Sequence, residues 1–564
     1  MRTTSFCPIS WAMVAVGLLG VGVAVGSAVG VAVAVGAGEG VGEMDGVTLG
    51  KLVWLPQAVA TRQAASARPT ILTLSTDSYD EYRGADMAVP AGDPTGQRVR
   101  SAVTRLLDAV DPFLPRSALL LATLTLGEAL MGLLRDRVLA RSFGAGPALD
   151  AYNSAVILPE LLLDIVVAGG VQAALVPLFT RLRRDDERAA QVFGRTVIWT
   201  GVTAMVVVAV GLFVGAPWLA ALAVPGFDAA GRDQYVTVLR LVAVTPALFA
   251  ASIAVGELLV AHRRFVGYGL APVLYNGGIA GGTFLLADRL GVVAPALGAA
   301  VGAALHLAIR LWDLRATGLA VRPAFAVRTR AFREFLVLML PKMVGEPIDP
   351  LTRLVATAIA STLASGSVTA VIFAWNFESG AVSIVGLAFS VVAFPALAAA
   401  AADGDRRRFM ATVGRAGLAI VTLSSAGAIL MGLLARPIIG TFLGGAAFDE
   451  AAVARTSAVL IAFAFAIPLE SLTQLLARAV YATRNTLLPV GAAAAGFGVL
   501  ALTAPALVAR LGVTGVPVAY ALGYTVRVVA LGTFAIHRGR RLVAGPPLTD
   551  QHPPAEPRPS APPR

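Results

Sequence analysis

Between residues 117 and 536, apolar runs follow one another with only short charged interruptions. As a helix, a run of about 20 residues matches the thickness of a bilayer's hydrocarbon core. In lipid the backbone must satisfy its own hydrogen bonds, which leaves helices or closed barrels. The chain is 57% hydrophobic and only 14% charged, where soluble domains carry about a quarter charged residues. The expected fold is therefore an all-α polytopic membrane protein, and its 564 residues are not to be divided into soluble domains. Twelve spans are predicted, at 117–135, 150–179, 195–217, 234–261, 268–288, 291–312, 334–363, 367–399, 409–434, 452–479, 486–508 and 513–536.

The loops between these spans alternate in charge. One set carries 21 arginines, among them Arg181, Arg183, Arg184, Arg310, Arg315, Arg406, Arg407 and Arg538; the intervening set carries seven. By the positive-inside rule both ends of the twelve-span core face the cytoplasm. The net charge of +11 is thus an orientation signal, and no nucleic-acid partner is expected. The Pro-rich tail after 542 reads as disordered.

Residues 1–116 stand apart. The Val/Gly/Ala run at 12–36 fits an extra span, a signal peptide or an upstream start-site misassignment, with Met44 or Met87 as the true start. The polar stretch at 38–115 reads as disordered. A weak repeat links 257–273 to 474–490 at an offset of 217, and Pro177 to Pro395 at 218. The expected organisation is an N-terminal six-helix half (117–315), a basic cytoplasmic linker (316–333), a C-terminal six-helix half (334–541) and a tail (542–564). Substrate sites in such transporters lie between the repeats, near the midplane.

Charges inside the spans point to a central cavity. The stretch ILPELLLDIVVAGG at 157–170 carries Glu160 and Asp164 on one helical face. In LPKMVGEPIDPLTRLV, Lys342, Glu346, Asp349 and Arg353 form a charged stripe interrupted by three prolines. Broken helices are tolerated beside protein or a water-filled cavity. Lys342 with Glu346, and Asp349 with Arg353, have the spacing of helical ion pairs. The acids Glu128, Asp136, Glu160, Asp164, Glu346, Asp349 and Glu378 outnumber the bases Arg135, Lys342 and Arg353, which predicts an acid-rich lining.

No enzyme is indicated. There is no GxxxxGK[ST] phosphate loop, so ATP is not an expected partner. Cys7 is the single cysteine, and His306 stands alone in an apolar span as a packed side chain. No metal site and no cofactor follow.

The stretch GLLRDRVLARSFGAGPALDAYNSAVILPELL (132–162), followed by QAALVPLF (172–179), resembles the MurJ/MviN family of lipid II flippases, within the multidrug/oligosaccharidyl-lipid/polysaccharide exporter superfamily. APWLAALAVPGF (216–227), RRF with APVLYN (263–276), ASGSV (364–368) and VGLAFSVVAFPAL (385–397) follow in order. The resemblance covers about 117–540. It implies alternating access of two halves and transport of a lipid-linked peptidoglycan precursor across the bacterial cytoplasmic membrane, with cavity arginines meeting its pyrophosphate.

Carried over by position, Arg135 keeps the arginine of the family's GxxR pattern, and Asp150 the aspartate after FGAG. Ala129 replaces an earlier arginine. Pro159 to Asp164 occupies the PNLLRR motif, so Leu163 and Asp164 stand where arginines would. Gly169 replaces the glutamate of AEG. Asn376 stands for the eighth-span arginine, beside Trp375 in place of an aspartate. The expected substrate contacts are Arg135, Asp150, Lys342, Arg353 and Asn376. The candidates for proton or sodium coupling are Glu160, Asp164, Glu346 and Asp349. Two other readings stay open: an ion-coupled exporter of a different, cationic substrate, and a non-transporting paralogue.

Overall fold

The computed structural model describes residues 116–165, 169–345 and 347–542. The segments at 12–36 and 38–115, Glu346 and the tail after 542 lie outside them, as does the side chain of Lys342. Among the described residues every regular element is a helix. The first part holds α1 (Arg116–Phe143), α2 (Pro147–Leu163), α3 (Gly169–Asp185), α4 (Glu187–Ala223), α5 (Ala229–Val242), α6 (Thr245–Ala261), α7 (Val266–Leu290) and α8 (Val293–Leu314). The second holds α9 (Arg330–Gly345), α10 (Ile348–Ala360), α11 (Ser367–Val382), a π-helical turn (Ser383–Leu387), α12 (Ala388–Ala402), α13 (Arg406–Leu433) and α14 (Ala435–Phe442). It ends with α15 (Glu450–Ala464), α16 (Ile467–Ala482), α17 (Leu487–Leu511) and α18 (Gly515–Arg540).

Seven described helical segments are long and apolar enough to cross a membrane, or eight with α15 and α16 taken as one span bent by 41°. One of the seven, Leu487–Arg540, contains both α17 and α18. The segments that fall short are α1, the broken pair α2 and α3, and the broken pair α9 and α10. These carry the charges that the spacing predicts for a cavity, and the breaks leave α2, α3, α9 and α10 at 17 residues or fewer, too short to cross singly.

The two parts repeat each other in their caps. Asp228 accepts from Gly231 N at the start of α5, and Asp449 from Ala452 N at the start of α15. Asp186 caps α4 and Asp405 caps α13, since short acids satisfy the free N–H groups of a first turn. Arg263 before α7 and Arg484 before α17 both take positive φ, 57° and 60°, unusual for non-glycine residues. These last partners are 221 residues apart, one helical turn more than the offset of 217 read from the sequence. A slide of one turn leaves an apolar stripe nearly unchanged, so apolar sequence alone does not fix the register.

Buried side chains gather into three main cores. One is shared between the parts: Leu139, Tyr152 and Tyr235 pack with Phe373, Phe448 and Phe463. At the end carrying the basic loops there are two separate cores. Leu175, Phe179, Phe193 and Leu258 form one; Leu397, Phe409, Leu475 and Leu531 form the other. Phe332 and Phe335 of α9 lie in the first of these. This helix therefore follows the linker in sequence but packs with the residues before it.

Candidate functional site

Between the shared core and the two separate ones lies a band of polar side chains. Arg135, in the last third of α1, bonds Asp136 Oδ1 through Nε and Nη2 at 2.9 and 2.8 Å, and Asn276 Oδ1 of α7 through Nη1 at 2.9 Å. Asn376 Nδ2 of α11 donates to Asp136 Oδ2 at 2.9 Å. Asp136 is 6% exposed, so it joins two helices from opposite parts of the chain while its charge is balanced by Arg135. The guanidinium has five N–H donors; three are spent here.

Glu160 is exposed although Pro159 and Leu161 beside it are buried. An ionisable side chain open to solvent at this depth faces a hydrated cavity rather than lipid. It lines a pocket with Val156, Leu163, Thr245, Phe249 and Tyr275. The cations acting on it are Arg353 and Arg135. Asp164 caps the end of α2, its N–H bonded to the carbonyls of Glu160 and Leu161.

Arg353 of α10 is the notable cation. Its guanidinium carbon sits 5.3 Å from the Trp375 ring centroid, a cation–π contact. No described residue forms a hydrogen bond or ion pair with it. The helical spacing predicts Asp349 as its partner. Instead Asp349 Oδ1 accepts from Arg527 Nη2 of α18 at 2.7 Å, and Arg527 also stacks over Tyr524. Among the described residues nothing accepts from the five donors of Arg353.

Asp150 has a different occupation. Its Oδ2 accepts from Gly366 N at 2.6 Å, and its Oδ1 from Thr369 N and Thr369 Oγ1 at 2.8 and 2.6 Å. It therefore caps α11 from across the molecule, at the end of the shared core. Gly366 takes φ 85° and approaches the Ala145 carbonyl so closely that a Cβ there would lie 2.3 Å from its oxygen.

Several of the expected acids are bonded within the protein or buried. Asp136 is spent on Arg135 and Asn376, Asp150 on a helix end and Asp349 on Arg527, while Glu378 is fully buried. Among the described residues Glu160 and Asp349 are both exposed, Glu160 with Arg353 and Arg135 acting on it. Glu346 and the Lys342 side chain, expected here too, lie outside the described residues.

Several functional-looking residues escape a span-by-span reading. Arg527 stands inside the apolar run YALGYTVRVVA, the signal that betrays it. Arg310, counted as a loop arginine, is 6% exposed within α8 and donates to the carbonyls of Ser252 and Tyr268. Glu257, also 6% exposed, and Glu128 act on it electrostatically. His306 is packed as expected, with Nδ1 2.7 Å from Ser252 Oγ.

The family model described as "Lipid II flippase MurJ" matches residues 139–545. The chain is 24% identical over 401 residues to the lipid II flippase MurJ of Burkholderia cenocepacia, covering 69% of this chain and 76% of the relative. It is 25% identical over 351 residues to the probable lipid II flippase MurJ of Borreliella burgdorferi, covering 62% and 68%. Among solved structures it resembles a lipid II flippase MurJ in an inward closed conformation, with TM-score 0.64 and 21% identity over 75% of this chain and 90% of that one. It also resembles an inward-facing multidrug resistance MATE family transporter, with TM-score 0.63 and 14% identity over 73% and 95%.

Proposed function

The chain belongs to the lipid II flippase MurJ family, and from that premise we propose that it carries a polyprenyl-pyrophosphate-linked peptidoglycan precursor from the inner to the outer leaflet of the cytoplasmic membrane. The observation that carries this reading is Arg353, whose guanidinium acts on the cavity carboxylate Glu160 and whose donors bond no described residue. A pyrophosphate presents paired anionic oxygens, the geometry that a planar guanidinium fork fits. Arg135, with two donors left, is the second contact. The shared core supports a sealed end and the two separate cores an end that can part, as alternating access requires. In this reading the basic loops face the cytoplasm, and Glu160, between the two arginines, is the site where an ion would offset or release the substrate's charge.

Export of a cationic substrate finds support in the exposed carboxylate of Glu160, and two guanidinium groups acting on that carboxylate weigh against it. Complementation separates the readings. Cells depleted of their own flippase should grow with this chain and lyse with an Arg353→Ala variant of equal membrane abundance. Lysis with the wild-type chain, correctly inserted, overturns the proposal.

A further inference from the structure

The second part of the chain brings two carboxyl groups together, one of them fully buried. Glu378 on α11 is 0% exposed. Its Oε1 accepts no hydrogen bond from any described residue, and its Oε2 has only Ser379 Oγ at 3.5 Å. The carboxyl group of Glu470 on α16 lies within hydrogen-bond reach of it. Glu470 Oε2 accepts from Tyr520 Oη of α18 at 2.6 Å. Two ionised carboxylates have no hydrogen to place between them and repel strongly in an apolar setting.

The backbone around the pair is irregular on both sides. Glu470 lies in the first turn after the 41° bend between α15 and α16. Glu378 lies one turn before the π-helical segment Ser383–Leu387, and π-turns recur at functional sites. The two irregular segments touch: a Cβ on Gly386 would lie 2.6 Å from Ser471 Cα. Such breaks place loosened backbone beside a polar site.

We propose that Glu378 and Glu470 hold one proton between them, forming a proton-binding site in the C-terminal part that Tyr520 orients. The proton bridges the two carboxyl groups and supplies the donor that Glu378 lacks. Glu470 is partly exposed, so the proton enters and leaves on its side, and departure leaves two carboxylates in place of one. The charged and titratable groups acting on the pair are Arg353 and Asp349 of α10, and Tyr520, Tyr524 and Arg527 of α18. No group of three or more metal-ligating side chains forms among the described residues, which favours a proton over a metal ion. Arg353 acts on Glu378 directly, so the site is one electrostatic step from the cavity.

Infrared difference spectroscopy on the purified full chain at neutral pH tests this without reference to any substrate. The C=O stretch of a protonated carboxyl group, which shifts down in D2O, should lose the same area in Glu378→Gln, in Glu470→Gln and in the double variant. In each single variant the new amide donates to the remaining carboxylate, so one proton is lost in every case. Tyr520→Phe should keep the area and shift the band. Size-exclusion profiles confirm that each variant is folded. An unchanged band in either single variant, an additive loss in the double variant, or an unshifted band in Tyr520→Phe would overturn the proposal.

Discussion

The two ends of the membrane core are joined by different means. At one end the two parts of the chain share a single apolar core, and the polar contacts across it are short, those of Asp150 buried and those of Arg137 partly open. Asp150 caps α11, and Arg137 donates to the carbonyls of Thr441 and Phe442 at 2.6 and 2.9 Å. At the basic end the cores are separate. The bidentate pair of Arg181 with Glu334 lies there on the side of the first core, between α3 and α9, at 3.0 and 2.6 Å, with side chains 56% and 36% exposed. The same kind of contact, one side chain from each side of the linker, has very different worth in the two settings. A buried acceptor that is removed strands its donors, whereas water replaces an exposed partner. The shared core at the first end and the separate cores at the second fit a seal and an end free to part.

The largest effect is expected at the seal. Asp150→Ala strands two backbone N–H groups and the Thr369 hydroxyl, each buried donor costing about 1–3 kcal/mol. A loss on the order of 3 kcal/mol should appear as a clear drop in the unfolding temperature of the purified protein. Unchanged melting would mean that the cap does not hold the seal. In the middle of the core, Asp136→Asn removes the charge that Arg135 bonds. It should cost about 1.5–3 kcal/mol, the range for hydrogen bonds to charged groups. An effect smaller than at the basic end would break the gradient. The smallest effect belongs to Arg181→Ala, under about 1 kcal/mol and shrinking with salt. A double-mutant cycle with Glu334→Gln measures that coupling, and a coupling as large as the one at the seal would erase the distinction between the ends.

Much of this was legible in residue order, because lipid imposes helices and charges in apolar runs stand out. Arg135 and Asn376 were expected at one site, and they do meet there through Asp136. What stayed hidden depends on contacts between distant helices. The i,i+4 spacing favours Asp349 with Arg353, yet Asp349 bonds Arg527, 178 residues away. Counting acids against bases does not show which carboxylates are already bonded, as those of Asp136 and Asp150 are. Arg310 lies so near the basic linker that its burial in α8 was invisible. Glu470 went unremarked because its partner is 92 residues away in sequence. The repeat was detectable, but its register needed Arg263 and Arg484, whose matching φ values exist only in the folded backbone.

Assignment of the pyrophosphate to Arg353, whose donors bond no described residue, is what the flippase reading rests on. Its most direct test is the affinity of the purified chain for a polyprenyl pyrophosphate, compared with the same lipid carrying a neutral head, in wild type and Arg353→Ala. Hydrogen bonds to a charged group contribute about 1.5–3 kcal/mol. The variant should therefore bind the pyrophosphate lipid roughly 10- to 100-fold more weakly and the neutral lipid as before. Equal affinity of both proteins for the pyrophosphate lipid would contradict it.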